Sequence, residues 1–532
     1  MVTTMKNTRY LILAAALLAA VCGCEKRLDT APTDSVGSEQ IFQSAESALA
    51  AVNGIYRCMY MADWGTAWNA ENGGIMAYIL ASDLMGEDHI QNKAGSGWFY
   101  YDYSYGISSD YTYSYGRQGQ CWNFFYTLIS NANNIIANEG KIQDDHELAD
   151  YVVGQAFAIR AYCYLWLVQN YQQCDPSLPG VPLYTESTTI NSKGKGRGTV
   201  QDVYNLINAD LDEALARLGG ASGAVQLQAA QQQPQAQPVV QQHPSHIDYY
   251  VAQGIKARAL LVQKDYQGAQ AAAMIAMERP GLQILPFAET VKINDVSKKN
   301  VMWGLAIQSD QALGSNGVYA HIDADANTTY ANGAQFLISS WLYSQIPSTD
   351  ARLAWWTAPL PEGEWVEKSS KKSYVQVKMV FKEASLGTGD YILMRVEEMA
   401  LIVAEAACHL GDYQTAREYV AMVSSMRDAN WQEHLAAMSN GSDYNSNTVS
   451  TVNNLMDYIL LQRRIELWGE VSRMHDLQRL GLGVDRTYSY PDNNHSSQKK
   501  YPAGDKRFIY AIPLNEFDGN TALNPVTDQN PL

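Results

Sequence analysis

The sequence predicts a mainly α-helical fold, in which tetratricopeptide-like helical hairpins form a platform overlaid by an irregular, loop-rich subdomain with a few short strands. The first supporting observation is an internal repeat: Lys264 to Gln270 (KDYQGAQ) matches Gly411 to Arg417 (GDYQTAR). Each copy lies between two Ala-rich segments, and a short turn between helices that cross over small residues is typical of tetratricopeptide-like hairpins. The second is that residues 281–389 contain few helical runs but many Trp, Pro and Gly residues, which indicates an irregular region.

Composition places the chain among globular proteins and limits its partners. Of its 532 residues, 46% are hydrophobic and 17% are charged, which is enough apolar material for one large domain. The formal net charge of −17 argues against a nucleic-acid partner, because such a partner needs a basic face. The 34 Tyr and 12 Trp residues exceed what a helical core needs, so some of these side chains are expected on a binding surface.

The N-terminus has the pattern of an export signal. Lys6 and Arg9 precede an apolar run from Tyr10 to Val21, and this order predicts a secretory signal peptide over residues 1–23. The run ends in Val-Cys-Gly-Cys, which resembles a bacterial lipobox with Cys24 as the acylated residue. Residues 24–43 then form a lipidated tether, since several acyl chains on one Cys anchor a protein stably at a membrane surface. The alternative is an ordinary secreted protein with two unpaired cysteines.

A single, largely helical domain is predicted over residues 44–532. Helical periodicity and capping residues indicate helices at 44–61, 121–136, 148–171 and 199–218. Residues 219–246 are rich in Gln, Ala and Pro and have no periodicity, so we expect a disordered insertion between two helices. Residues 281–389 are expected to form the irregular subdomain that lies over the helical platform.

The segment from Met456 to Gly481 is predicted to be one helix with an apolar stripe that faces the core and a C-cap at Gly481. Glu466, Glu470 and Asp476 are possible catalytic acids on it, but each has an Arg three or four residues away. A paired carboxylate stays ionised, so the favoured interpretation is a half-buried ion-pair network that fixes this helix against its neighbours.

The same segment carries a family resemblance. Leu461 to Leu467 (LQRRIEL), followed by Glu470, Arg473 and Asp476 to Arg479 (DLQR), resembles the C-terminal signature helix of the SusD/RagB nutrient-binding lipoproteins. Ala51 to Tyr56 (AVNGIY) and the C-terminal tail are also similar to this family. The resemblance implies a helical lipoprotein on the surface of a Bacteroidetes-type outer membrane. It also implies a TonB-dependent transporter partner of the SusC type, over which this protein would act as a lid, and a glycan or a peptide as ligand.

The strongest functional signal is a tyrosine-rich segment, which reads WFYYDYSY at 98–105 and DYTYSY at 110–115. In a strand or extended loop, alternation would place the tyrosines on one face and Asp, Ser and Thr on the other. Exposed aromatic rings suit sugars, whose C–H faces stack on the rings while their hydroxyls bind polar groups. The alternative is a β-hairpin whose tyrosines pack on the platform. The candidate ligand-binding residues are Trp98, Tyr101, Tyr103, Tyr105, Tyr111, Tyr113, Tyr330 and Trp341.

Motifs for catalysis and cofactors are weak. The sequence contains no HExxH, Gly-x-Ser-x-Gly or Walker motif, and no predicted strand precedes the glycine-rich basic stretch at 194–198. Asp323, Asp325 and Asn327 have the spacing that begins a calcium loop, but the later Gly and Glu are missing. No cofactor is therefore predicted, and a structural Ca²⁺ is left as an alternative. A glycosidase pair is also left open, because separation in space defines it.

Together these features predict a cell-surface lipoprotein of the outer membrane. It binds an extracellular oligosaccharide or polysaccharide without catalysis and delivers it to a SusC-like TonB-dependent transporter. A peptide-binding uptake lipoprotein of the same family is the first alternative. A secreted glycan-degrading enzyme and a helical-repeat module that binds only a protein partner are the others.

Overall fold

The computed structural model describes residues 41–61, 71–91, 98–106, 116–188, 191–219, 243–326, 329–361, 372–444, 449, 451–489 and 492–531. The predicted signal peptide, nearly all of the predicted tether and most of the predicted insertion lie outside these ranges, so all three stay predictions. Within the described ranges, helices dominate and the strands are short. The predicted mainly α-helical fold is confirmed.

Helices and short strands alternate unevenly along the chain. The helices are α1 Ala45–Tyr60, α2 Ile75–Leu84, α3 Tyr100–Ser104, α4 Arg117–Ala137, α5 His146–Tyr171, α6 Val200–Leu218, α7 Tyr249–Val262, α8 Tyr266–Met277, α9 Tyr319–Ile322, α10 Thr329–Gly333, α11 Ser340–Ser344, α12 Val396–His409, α13 Tyr413–Ser424, α14 Trp431–Ala436, α15 Leu455–Glu466, α16 Arg473–Leu480 and α17 Leu514–Gly519. The strands are β1 His89–Gln91, β2 Pro179–Pro182, β3 Arg197–Thr199, β4 Val301–Leu305, β5 Phe336–Ile338, β6 Tyr391–Arg395, β7 Val484–Asp485 and β8 Lys500–Tyr501.

Side-chain caps fix several helix starts close to where the sequence predicts them. The Ser44 hydroxyl accepts the backbone N–H of Ser47 at the start of α1, at 3.1 Å. At the start of α6, Thr199 and Asp202 form a capping box, in which each side chain accepts the other residue's backbone N–H. Such caps satisfy backbone groups that the first helical turn leaves free.

The repeated sequence forms two helical hairpins, α7–α8 and α12–α13. Each second helix begins after an Asp cap: Asp265 accepts the N–H of Gly268, and Asp412 accepts the N–H of Thr415. Alanines of α8 are buried against α7 and α12, where small side chains allow the helices to approach closely. Helices α4, α5, α6, α7, α8, α12 and α13 pack each against the next, and this row is the predicted platform.

The longest helix among the described residues is α5, which packs between α4 and α6 in this row. It is apolar and long enough to cross a membrane by length and composition, and among the described residues it is the one helix that meets both criteria. However, 94% of its apolar window is buried inside the protein, where α4 and α6 cover it. A helix that is apolar on all sides belongs in the core of a large domain, and α5 occupies that place.

The region between residues 281 and 389 is irregular in the ranges that are described. Its α-helices have five residues or fewer, and its strands pair with partners from outside: β5 with β1 and β4 with β6, both antiparallel. A second apolar cluster, which includes Trp341, Trp355 and Trp356, packs against Ile465 and Trp468 at the end of α15. This cluster attaches the irregular region to the helices.

The segment 456–481 is not the single helix that its periodicity predicts. It forms α15 and α16, separated by residues 467–472, with Gly469 at a left-handed φ of +76°. Asp83 accepts the backbone N–H groups of Gly469 and Arg473, which stabilises the break from another helix. Gly481 does end α16 as predicted, in the left-handed conformation that favours glycine.

Candidate functional site

Within the tyrosine-rich segment, residues 100–104 form a short helix, so the predicted strand or extended loop is wrong there. Phe99 and Tyr105 flank this helix with left-handed φ values of +66° and +61°, and the N–H of Gly106 closes it onto the Tyr101 carbonyl at 2.8 Å. Helical geometry turns successive side chains to different directions, so alternation no longer places the tyrosines on one face. Tyr101 is 52% exposed, whereas Tyr103 is fully buried.

Tyr103 and Tyr105 anchor the segment and are not available at the surface, so the prediction that they line an exposed ladder is wrong. The Tyr103 hydroxyl bonds Nδ1 of His495 at 2.9 Å, and the Tyr105 hydroxyl donates to the Met85 carbonyl. The buried Arg486 guanidinium lies over both rings, at 4.5 Å and 5.2 Å from their centroids. It also donates to the Tyr103 carbonyl and to carbonyls of residues 84–86.

Trp98 and Tyr330 are brought together through a residue that the sequence did not single out. His321 stacks on Trp98 with ring planes 16° apart, and its other neighbour is Tyr330, at 4.6 Å between ring centroids. Trp98 and His321 are buried, but Tyr330 is 49% exposed. These three rings are in contact, and we call them the aromatic surface together with Tyr101, which is exposed three residues after Trp98 in the chain. Its inner rings are shielded, and its two outer tyrosines reach solvent.

Hydrogen bonds fix the Trp98 backbone and the His321 ring of the aromatic surface. The Gln91 side chain donates to the Trp98 carbonyl at 2.9 Å. Nε2 of His321 lies 2.8 Å from the Ser315 carbonyl and must donate to it, because a carbonyl only accepts. Burial lowers the pKa of His321 to about 4, so its imidazole is neutral at neutral pH. The surface therefore presents neutral, preoriented rings.

The other candidates from the sequence have different outcomes. Trp341 is buried in the second apolar cluster with the Arg464 guanidinium 4.7 Å from its ring centroid, so its predicted place on the ligand surface is wrong. Tyr111, Tyr113 and Cys24 lie outside the described residues. A role in ligand binding stays a prediction for Trp98, Tyr101, Tyr111, Tyr113 and Tyr330, and lipidation stays a prediction for Cys24.

The three candidate catalytic acids are buried in ion pairs, as the favoured interpretation predicts. Their partners are Arg352, Arg395 and Arg427 for Glu466, Lys378 and Arg395 for Glu470, and Arg463 and Arg479 for Asp476. Burial by itself would raise the pKa of each carboxyl, but these cations outweigh it and hold each pKa below its ordinary value. The network is fully rather than half buried, and most partners come from distant segments rather than the same helix.

The start of the possible calcium loop has a structural role. The Asp323 carboxylate accepts the backbone N–H of Phe381 at 2.9 Å and that of Asp325 at 2.8 Å. Burial raises the pKa of this carboxyl. Asn327 lies outside the described residues, and within the described ranges no group of three or more His, Cys, Asp or Glu side chains could hold a metal ion.

Comparisons with known proteins agree with this architecture. Residues 312–531 match a model of the SusD family, and residues 69–232 match a model described as starch-binding associating with outer membrane. The chain is 24% identical to the SusD-like protein P2 of Formosa agariphila, over 97% of this chain and 99% of that protein.

Over residues 69–232 and 312–531 this chain is thus similar to the SusD family. A SusD-like carbohydrate binding protein from Bacteroides vulgatus has the same fold, with a TM-score of 0.72 and 22% identity over 92% of this chain and 99% of that one. A SusD superfamily protein from Bacteroides thetaiotaomicron aligns with a TM-score of 0.69 and 22% identity, over 92% of this chain and all of that one (100%). The recognition based on the LQRRIEL segment is confirmed.

Both family matches contribute to the aromatic surface. Trp98 and Tyr101 lie in the residues matched by the starch-binding model, and His321 and Tyr330 lie in those matched by the SusD model. The surface thus forms only when two distant parts of the SusD-like chain meet, through the pairing of β1 with β5. Sequence reasoning missed His321 because its neighbours in the chain give no sign of that contact.

Proposed function

We propose that this SusD-like protein captures an extracellular glycan at the outer-membrane surface, leaves it intact and delivers it to a TonB-dependent transporter of the SusC type. The observation that carries the proposal is the aromatic surface, where the exposed Tyr330 ring lies against the buried His321 ring, which is itself stacked on Trp98. Similarity to the SusD family and to a starch-binding model supports the ligand class and the membrane association.

Stacking on fixed rings is the proposed mode of binding. Sugar C–H faces pack on aromatic faces, and each such contact is modest, about 0.5–1.5 kcal/mol by analogy with aromatic pairs. Because Trp98 and His321 are already ordered by hydrogen bonds, little conformational entropy is lost when a ligand binds. A few contacts of this size give an affinity weak enough for the ligand to pass on to a transporter.

The burial of the candidate acids supports a role in binding rather than hydrolysis. Glu466, Glu470 and Asp476 are ionised, ion-paired and buried, so they are poorly placed to protonate a leaving group or to reach a substrate. The proposed lipid anchor at Cys24 would keep the protein at the membrane surface, where a transporter partner lies.

The test is calorimetry with the purified full-length chain in detergent micelles, titrated with starch, xylan, mannan, pectin and a peptide digest. Each titrated sample is then assayed for new reducing ends. We expect binding to at least one polysaccharide, no new reducing ends, and about tenfold weaker binding in a Tyr101→Ala/Tyr330→Ala variant, which corresponds to about 1.4 kcal/mol. Leu410→Ala is the control, because this side chain is 50% exposed but lies outside the aromatic surface.

Three results would contradict the proposal in different ways. Binding only to the peptide digest would keep the capture role but replace the ligand class. New reducing ends would indicate a glycan-degrading enzyme. Full affinity in the double tyrosine variant would mean that the aromatic surface does not carry the binding.

A further inference from the structure

A second concave site lies between α4, the loop that follows β2, and α17. It is an open cleft of about 540 Å³, within the size range of small-molecule sites, which is roughly 300–1,000 Å³. It shares no residue with the aromatic surface. None of the residues proposed from the sequence lies in it.

Three aromatic rings form one wall of this cleft, and their polar atoms are already in use. Trp122 and Tyr126 have ring centroids 4.8 Å apart, and Tyr126 meets Tyr184 edge-on at 5.8 Å with planes 83° apart. The Tyr126 hydroxyl donates to the Pro182 carbonyl at 2.8 Å, and the Tyr184 hydroxyl accepts the N–H of Lys195 at 3.1 Å. The rings are therefore fixed before a ligand binds, and a ligand would contact their apolar carbon faces.

The floor of the cleft is equally ordered. Glu516 accepts Nε1–H of Trp122 at 3.1 Å and the Asn520 carboxamide at 2.8 Å. Asn520 also donates to the Lys195 carbonyl at 2.9 Å, which ties α17 to the loop. Gly194 lies against Asn520 so closely that a Cβ at this position would collide with the Asn520 side chain. Only glycine fits at this position of the loop, so Gly194 helps to fix the shape of the cleft.

Two asparagine carboxamides also line this cleft. The carboxamides of Asn123 and Asn131, which line the cleft on α4, make no hydrogen bond to any residue in the described ranges. A carboxamide both donates and accepts, as a sugar hydroxyl does, so the two groups are matched. Among the described lining residues the charged ones are Lys193 and Glu516, whose charges are opposite. This balance favours a neutral ligand over an anion or a cation.

We propose that this cleft is a second glycan site, which binds one or two neutral sugar rings between the aromatic wall and the amides of Asn123 and Asn131. It acts independently of the aromatic surface. The proposal does not rest on the proposed function, because a free sugar could occupy the cleft whether or not a polysaccharide binds elsewhere.

The experiment separates the two sites. The full-length chain carrying Tyr101→Ala and Tyr330→Ala is titrated by NMR saturation transfer and by calorimetry. The probes are the methyl glycosides of glucose, galactose, mannose, xylose and N-acetylglucosamine, together with maltose and cellobiose. We expect at least one probe to bind. Adding Asn123→Ala and Asn131→Ala should weaken that binding about tenfold, or about 1.4 kcal/mol. Asn205→Ala, an exposed amide on α6 outside the cleft, is the matched control and should leave the affinity unchanged.

The outcomes are distinct from those for the proposed function. If no probe binds when the aromatic surface is removed, or if binding is the same after both amides are lost, the second site does not exist. Asn131→Ala alone is the safeguard for folding, because this side chain is exposed and has no partner among the described residues. It should weaken binding measurably by itself. Loss of polysaccharide binding through the tyrosines would leave this result untouched.

Discussion

Replacing Glu466 by Gln tests whether the buried ion-pair network holds the helices together. Glu466 is fully buried at the end of α15, and its carboxylate accepts N–H groups from Arg352, Arg395 and Arg427 at 2.9–3.3 Å. Glutamine has a similar shape, but it removes the negative charge and replaces one acceptor by an NH₂ donor that faces guanidinium donors. Removing one partner of a buried ion pair costs about 3–5 kcal/mol, so we expect the unfolding free energy at pH 7 to fall by about this amount.

The same variant has a defined dependence on pH. Burial would raise the pKa of Glu466, but Arg427 and Arg395 outweigh it and hold the pKa well below the ordinary 4.5. The stability that comes from the carboxylate is therefore complete above pH 4.5. As the pH falls toward the folded pKa, this stability is lost by about 1.4 kcal/mol per pH unit, because the unfolded chain takes up a proton that the folded chain does not. The gap between wild type and variant should thus be constant from pH 7 to 5 and shrink below pH 4.5.

Urea unfolding followed by tryptophan fluorescence, at several pH values from 7 to 3.5, measures both effects. Glu418→Gln is the matched control, since Glu418 is exposed on α13 and accepts a hydrogen bond from Gln414, one turn earlier on the same helix. Its unfolding free energy should stay within about 0.5 kcal/mol of wild type. A Glu466→Gln variant within about 1 kcal/mol of wild type at pH 7 would refute the reasoning, given the expected cost of a broken buried pair. So would a gap that does not change with pH.

Two further substitutions are checked by the same urea titration. Gly469→Ala should lower the unfolding free energy by about 1–3 kcal/mol, because φ is +76° and the new Cβ would meet the Met379 sulfur. Gly140→Ala is the control and should cost less, because a Cβ there would have no described atom within 4 Å. Arg486→Met should cost at least about 3 kcal/mol, since the buried carbonyls of residues 84, 86 and 103 lose the hydrogen bonds that its guanidinium donates. Arg507→Met removes a half-exposed Arg paired within its own turn, and an equal loss there would contradict the argument.

The features that the sequence predicted well depend on neighbours along the chain. A cap at Ser44 or Thr199 needs only the backbone N–H three residues later. The repeated hairpins follow from local periodicity, small residues and a turn. The SusD resemblance was readable for the same reason, because its signature is a contiguous run of residues.

Contacts across the chain explain the predictions that were wrong. Glu466 does not pair with the Arg one turn earlier but with three arginines 39 to 114 residues away in the chain. Tyr103 and Tyr105 have the same residue type and spacing as an exposed ladder, yet Arg486, some 380 residues later, draws both into the core. Residue type alone does not distinguish a buried tyrosine from an exposed one, because the ring suits both places.

By itself, then, the sequence determined the helical class, the repeated hairpins, the starts of α1 and α6 and the family resemblance, because each depends on residues that are close together in the chain. Only the tertiary structure decided which aromatic rings reach solvent, which arginines neutralise the buried acids, and that His321 joins Trp98 to Tyr330. It alone brings α4, the loop after β2 and α17 together around the second cleft. The physical reason is that burial and electrostatic pairing depend on distance in space, and in a folded chain that distance bears little relation to separation in sequence.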